Sequence, residues 1–349
     1  IHDNYFSDIE DAAIKFKREN TFGKELPIKT PMLENILKSV YNIKIDRETL
    51  PKHEILQNLR SLYVSDKRTL MINKDLSSAQ ENFLIGRELG FQYLNLRERP
   101  FETPPVNATS FDGLLNNFKA SYFSVSFLMD KKEVIRDIRK FARLPEWEEK
   151  TFLNFLSKYD ATPEMLMQRL TNILPQYFGI KNLFFLRFVG KDNFSDFELE
   201  KELHLSQVHN PHRNELGEHY CRRWLALRMI QRLRSIQSVE GKDNPIANVQ
   251  VSHYLGTPNE YLCISVAYPN VSNPKEGVSI VIGFLIDENL QKMLKFLNAP
   301  SLKRYTVHTT CERCPLTDCN ERVAPPEKVE AQSKRNSLEL TLRSILGKK

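Results

Sequence analysis

Glycine is scarce in this chain, at 12 of 349 residues, and loops that cradle phosphates on bare backbone are built from it. Neither G-x-x-x-x-G-K-[ST] nor G-x-G-x-x-G occurs, which argues against a P-loop or a dinucleotide-binding turn. Long apolar runs are lacking too. None approaches the ~18 residues that a membrane-spanning helix needs, and the start has no signal-peptide pattern. Cysteines number five. An odd count with three of them clustered argues against a secreted disulfide framework and fits a reducing cytoplasm. Neither sign of charge dominates: the net charge is +6, and the surplus reads as solvated Lys and Arg faces that permit an acidic partner without requiring one. With 41% hydrophobic residues, the chain is long enough for two or more domains with cores of their own. It opens on Ile1 rather than methionine, from which a preceding domain is expected.

What is present is a cysteine-rich stretch near the end, H-T-T-C-E-R-C-P-L-T-D-C-N-E-R-V-A-P-P over residues 308–326. Cys311 and Cys314 form a C-x2-C pair on one tight turn, and Cys319 follows after four intervening residues. Such a loop buries little apolar surface. A metal or cluster held by thiolates would supply the missing folding energy. Three ligands leave a fourth to be found. Cys263 lies in an apolar strand pattern, Y-L-C-I-S-V, and reads as a small buried hydrophobe. Cys221 opens C-R-R-W on a basic helix expected over residues 215–236 and is the other candidate for a fourth ligand. His308 is an alternative nitrogen ligand, and His219 a hydrogen-bond donor, although both read as solvent-exposed. Spacing suits tetrahedral zinc and iron–sulfur alike, with free thiols as a third reading.

Apolar periodicity predicts helices over residues 6–20, with Ser7 as N-cap, and 30–41, capped by Thr30 with Pro31 in first position. Short strands follow at 41–45, 62–64 and 68–73, and then a buried helix at 78–96. That helix carries Arg87-Glu88-Leu89-Gly90-Phe91. In H-E-x-x-H two histidines one turn apart bind zinc and the glutamate serves as general base. Arg87 and Phe91 stand at both histidine positions here. The order of elements resembles the ImmA/IrrE family of metallopeptidase-like proteins. The resemblance implies a third ligand on the next helix, where Asn117 stands before Ala120-Ser121-Tyr122-Phe123-Ser124. Arg87, Phe91 and Asn117 thus replace all three implied ligands. Glu88 reads as a solvated or salt-bridged residue, and the domain as a non-catalytic pseudo-peptidase. That next helix runs on through 118–129. Two more helices, at 146–159 and 163–174, flank Ala161-Thr162-Pro163 with Thr162 as cap. They have a helix-turn-helix outline but read as a packing pair.

Composition changes near Gly179. Strands are expected at 182–189, 198–205, 247–255, 261–268 and 277–286, with a turn at 190–196 and a helix at 287–297. This is a small antiparallel sheet with helices on one side, the outline of GAF or PAS sensor domains. The stretch 324–333 reads as a Pro/Glu/Lys-rich linker leading to a last helix at 337–346 that docks on the body or on a second subunit. The fold class is therefore α+β in three parts: a mostly helical pseudo-peptidase domain (1–178), a sensor domain with the cysteine site (179–326), and a linker with a tail helix (327–349).

The pattern C-x2-C-x4-C-x2-R-x3-P, with C-x2-W upstream, resembles a family of bacterial transcription regulators linked to short-chain fatty acid metabolism. Members combine an Xre-type helix-turn-helix, an ImmA/IrrE-like domain and a C-terminal sensor. The resemblance implies a 4Fe-4S cluster on Cys221, Cys311, Cys314 and Cys319, flanked by Arg322 and Pro326, with Zn2+ as the alternative. It implies coenzyme A or a short-chain acyl-CoA as ligand. Arg222, Arg223, Arg232 and Arg234 are candidate contacts for its phosphates. It also implies DNA binding through a preceding domain, a cytoplasmic homodimer, and no enzymatic activity. The competing readings are an ImmA-type zinc peptidase that cuts a repressor and a structural zinc protein.

Overall fold

The structure is a computed structural model that describes residues 4–23, 25–105, 110–191, 196–205, 217–241, 243–270, 273 and 275–346. The chain forms two compact units, one of Ile1–Phe141 with Lys150–Gly179 and the other of Ala142–Glu149 with Ile180–Lys349. The α+β class is as expected.

The first unit contains α1 (Ser7–Glu19), α2 (Thr30–Tyr41), β1 (Lys44–Asp46), β2 (Ser61–Val64), β3 (Thr69–Ile72), α3 (Ser78–Tyr93), β4 (Glu102–Thr103), α4 (Phe111–Leu128), α5 (Lys131–Phe141), α6 (Glu149–Tyr159) and α7 (Pro163–Phe178). The cap positions of α1 and α2 are Phe6 and Lys29, without side-chain caps. Ser7 and Thr30 already lie within the helical turn, so neither caps as expected. Ser77 does cap α3: it accepts from the Gln80 amide, and the Gln80 side chain reaches back to the Ser77 amide. That reciprocal box fixes the start of the helix that carries Arg87 and Glu88. Helix α4 begins at Phe111, six residues before Asn117, and is capped by Ser110. Thr162 caps α7 as expected.

Helices α3 and α4 approach closely because α3 carries glycine at the contact. A Cβ on Gly90 would stand 2.9 Å from the Ala120 carbonyl oxygen. Asn117, one turn before Ala120, is thereby brought beside Arg87. The small sheet runs in the order β1-β3-β2-β4. Its β2–β4 pairing sets Ser61 opposite Thr103, at the end of the sheet that meets Arg87. Helix α7 is anchored by Arg169, which is fully buried. Its guanidinium bonds both Glu10 carboxylate oxygens and the Met129 carbonyl. Burial works to lower the Arg169 pKa, and the bonds to Glu10 outweigh it and raise it. Eleven α7 residues are buried, so α7 packs as part of the core rather than standing free to read DNA.

The second unit contains β5 (Leu183–Gly190), β6 (Phe197–His204), α8 (Leu225–Glu240), β7 (Ile246–Tyr254), β8 (Glu260–Pro269), β9 (Gly277–Leu285), α9 (Glu288–Met293), β10 (Arg304–Val307) and α10 (Glu327–Ile345). Six strands form one sheet in the order β10-β7-β8-β9-β5-β6. Five of them pair antiparallel, as expected. The sixth, β10, had no sequence expectation and adds in parallel to β7. Helix α8 lies on one face of the sheet. Trp224, Leu225, Met229, Ile230 and Leu233 pack there with Phe184, Phe188, Tyr261, Cys263 and Val281. Alternate strand residues such as Leu262, Ile264 and Val266 are buried as well. Burial on both faces is why these strands read as unbroken apolar runs.

Three expectations for this unit are corrected. Helix α8 starts at Leu225, so Cys221, Arg222 and Arg223 lie on the turn before it, not on the helix. The expected start at 215 lies outside the described residues, as does most of the 190–196 turn. The expected 324–333 linker is largely helical: Glu, Lys, Gln and Ala there are good helix formers, and α10 begins at Glu327. The helix expected at 287–297 is split into α9 and a 3-10 turn at Lys295–Asn298.

Candidate functional site

The cysteine loop begins where β10 ends. Strand β10 is held on β7 by amide bonds that include Leu255 to Val307 at 3.0 Å, and it delivers His308 to Cys311 against the turn before α8. There the Cys221 amide donates to the Thr309 carbonyl at 3.1 Å, and the Cys311 amide to the His219 carbonyl at 2.8 Å. Together these form an antiparallel bridge between Tyr220 and Thr310. The spacing C-x2-W now has a physical account. Its first residue joins the bridge, and Trp224 donates from Nε1 to the His308 carbonyl at 2.9 Å. Both ends of the tetrapeptide are stapled to the residues that precede the cysteine pair.

Cys221, Cys311 and Cys314 are each buried to more than nine-tenths, Cys319 is half-buried, and all are free thiols. Burial, with neighbouring Cys311 and Cys314 adding to it, pushes the Cys221 thiol up to about 11. The three buried cysteines come from two segments that the Tyr220–Thr310 bridge holds together. As thiolates they would repel unless a cation lay among them. The Thr310 hydroxyl beside them is buried without a hydrogen-bond partner among the described residues, a donor available to a thiolate or sulfide. The donor set therefore fits a thiolate-held centre in its chemistry. Among the described residues, however, no three His, Cys, Asp or Glu side chains stand arranged around a common metal position.

Arg322 shapes the loop from within. Its guanidinium donates to the carbonyls of Cys311 at 2.6 Å, Cys314 at 2.9 Å, Ala324 at 3.2 Å and Leu316. A planar fork of donors can meet several carbonyls at once where a lysine cannot. Of the flanking histidines, His219 is exposed as expected and His308 is not. His219 pairs through Nδ1 with Glu312 at 2.7 Å, and His308 is half-buried, its pKa lowered by burial and by Arg313 and Arg322. Cys263 lies across the core from the loop. Its thiol meets Ser252 Oγ at 3.6 Å beside a cavity of about 10 Å³ lined by Phe184, Trp224 and Tyr254, room for about one water molecule.

The four candidate arginines all meet protein partners. Arg222 is buried, with its guanidinium 4.6 Å from the Phe197 ring centroid. Arg223 donates to the Thr306 carbonyl at 3.4 Å and lies 3.8 Å from Glu321. Arg232 lies 3.8 Å from Glu149, and Arg234 donates to Gln237 at 3.3 Å.

In the first unit, the positions that would carry zinc ligands in a metallopeptidase do converge. Arg87 donates to Asn117 Oδ1 at 2.9 Å and to the Thr103 hydroxyl. Burial, with Arg99 adding to it, lowers the Arg87 pKa to about 10. Of the two expected settings for Glu88, salt-bridged holds and solvated does not: the residue is buried. Arg99 donates to its two oxygens at 2.8 and 2.6 Å, and Gln92 to one of them at 2.8 Å. Arg99 also lies on the Phe91 ring, 3.5 Å from its centroid. Two guanidinium groups thus occupy the neighbourhood of the implied zinc. Sequence reading missed Arg99 and Thr103, since nothing in their spacing marks them; the segment leading into β4, paired on β2, brings them to α3.

No family model matches the chain, and no curated protein matches it by sequence. Among solved structures, the chain is similar to a Mycobacterium tuberculosis transcriptional regulator at 15% sequence identity, with a TM-score of 0.62, over 93% of this chain and 90% of that one. At this identity the likeness shows a shared fold.

Proposed function

We propose that this chain is the effector portion of a transcription regulator, reading a metabolite and the redox state through a thiolate-held 4Fe-4S cluster on Cys221, Cys311, Cys314 and Cys319. The observation that carries the reading is the Tyr220–Thr310 bridge, which sets Cys221 beside Cys311 and Cys314 from ninety residues away along the chain. A centre spanning both segments would close a long loop and couple its own integrity to the seating of everything after Thr310. Such a cluster supplies a reversible electron and a sensitivity to oxidants; Zn2+ in its place would supply only the staple. The fold shared with a transcriptional regulator supports the regulatory role. DNA would be read by a part of the regulator outside this chain, in the cytoplasm and as a dimer. No helix among the described residues is long and apolar enough to cross a membrane.

On this reading the first unit is non-catalytic, with Glu88 committed to Arg99 rather than to a water. The metabolite would be coenzyme A or a short-chain acyl-CoA; of the four arginines Arg232 is exposed, Arg223 and Arg234 are partly buried, and Arg222 is buried. Isothermal titration of the anaerobically purified chain with coenzyme A and with a short-chain acyl-CoA tests the ligand. Saturable binding weakened in Arg232→Ala/Arg234→Ala supports it, and no heat with either compound sinks it.

A further inference from the structure

Helix α10 has 19 residues and buries none of them. Leu338, Leu342, Ile345 and Leu346 are 62, 49, 75 and 64% exposed. Isolated helices become marginal in water at ~12–15 residues even when rich in alanine, and most helices owe their stability to an apolar face buried on a partner. Leu338, Leu342 and Ile345 follow the four-then-three spacing of a coiled-coil seam. Leu340 lies off this stripe.

We propose that α10 pairs in parallel with α10 of a second copy of this chain. With Leu338 and Ile345 at d and Leu342 at a, Lys334 falls at g and Glu339 at e. In a parallel pair, g of one helix faces e of the other five residues further on. Lys334 therefore meets Glu339 of the second copy, and the two-fold axis makes that ion pair twice. Glu339 already pairs with Arg343 one turn on at 2.6 Å, which holds its carboxylate on the flank of the stripe. An antiparallel pair sets g against g and loses the match. Lys328 and Arg335 take the two preceding a positions, where like charges facing each other across the axis cost stability, so the apolar seam is confined to Leu338, Leu342 and Ile345. The base of α10 is fixed to the cysteine loop by the Lys328 amide bond to the Glu312 carbonyl at 3.1 Å. The pairing does not depend on what the cysteines hold.

Sedimentation equilibrium of the full chain at tens of micromolar tests this. The wild type is expected to be a dimer, and Leu338→Lys/Leu342→Lys a monomer with unchanged near-ultraviolet circular dichroism. Lys334→Glu sets like charges against each other and is expected to weaken the dimer about tenfold, with Lys334→Glu/Glu339→Lys restoring it. The charge variants leave the apolar stripe untouched, so they decide the question even if the double leucine variant misfolds. A monomeric wild type overturns the proposal. So does a dimer that survives the leucine changes, or one indifferent to Lys334→Glu.

Discussion

Arg99 lies face-on to Phe91, its guanidinium carbon 3.5 Å from the ring centroid. The same guanidinium grips Glu88 through two bonds, and both side chains are at least nine-tenths buried. Removing one partner from such a pair leaves an uncompensated charge in low dielectric. Arg99→Ala is therefore expected to destabilise the protein by about 3–5 kcal/mol, read from urea unfolding. Glu88→Gln/Arg99→Met, which removes both charges, is expected to cost clearly less. Equal losses would contradict this account of Glu88.

On the proposed reading, Arg322 is expected to govern how firmly the cysteine loop would hold a metal. Arg322→Ala removes donors to four carbonyls, and Arg322→Lys cannot replace a planar fork with a point charge. Both variants are expected to lose metal to a chelator faster than the wild type. Rescue by lysine would mean that charge alone matters.

Cys263 gives a pH dependence. Burial raises its thiol from the ordinary 9.0 to about 12, against the bond to Ser252. The folded protein keeps this proton where the unfolded chain gives it up. The stability involved is fully present below about pH 9 and is lost as the pH climbs towards 12. By about pH 10.5 the loss is about 2 kcal/mol. Urea midpoints of wild type and Cys263→Ala across that window check it. The variant lacks this component, and parallel curves would refute it.

Glu10 and Arg169 form a second buried pair, joining α1 to α7. Glu10→Gln strips a fully buried guanidinium of its counter-charge and is expected to cost about 3–5 kcal/mol. Glu10→Leu/Arg169→Met is expected to be less damaging than the sum of the single changes.

Local chemistry carried much of the fold into the sequence. The strands β5, β7, β8 and β9 were visible as apolar runs because both their faces are buried. Ser77 and Gln80 show the reciprocal cap that starts α3. What escaped has physical reasons. Strand β10 is four residues long and shows only a fragment of alternation. Helix α5 buries Val134, Ile138 and Phe141, at a spacing that is helical in the sequence too. The Pro-rich entry to α10 masked good helix formers behind it. Of the site, the cysteines and Trp224 were legible because their spacing is local. The helix placement of Cys221 was wrong because the turn is held by partners ninety residues away. Arg99 and Thr103 were invisible for the same reason: their roles exist only once the segment leading into β4 is brought to α3.

The central claim is a thiolate centre that joins Cys221 to the C-terminal loop, and metal analysis of anaerobically purified protein tests it most directly. The account requires iron and acid-labile sulfide with broad absorption near ~400 nm, lost together in Cys221→Ser and kept in Cys263→Ser. Tightly bound zinc lost in the same variant would keep the staple and remove the redox function. Protein without bound metal, or metal content unchanged in Cys221→Ser, would contradict the account.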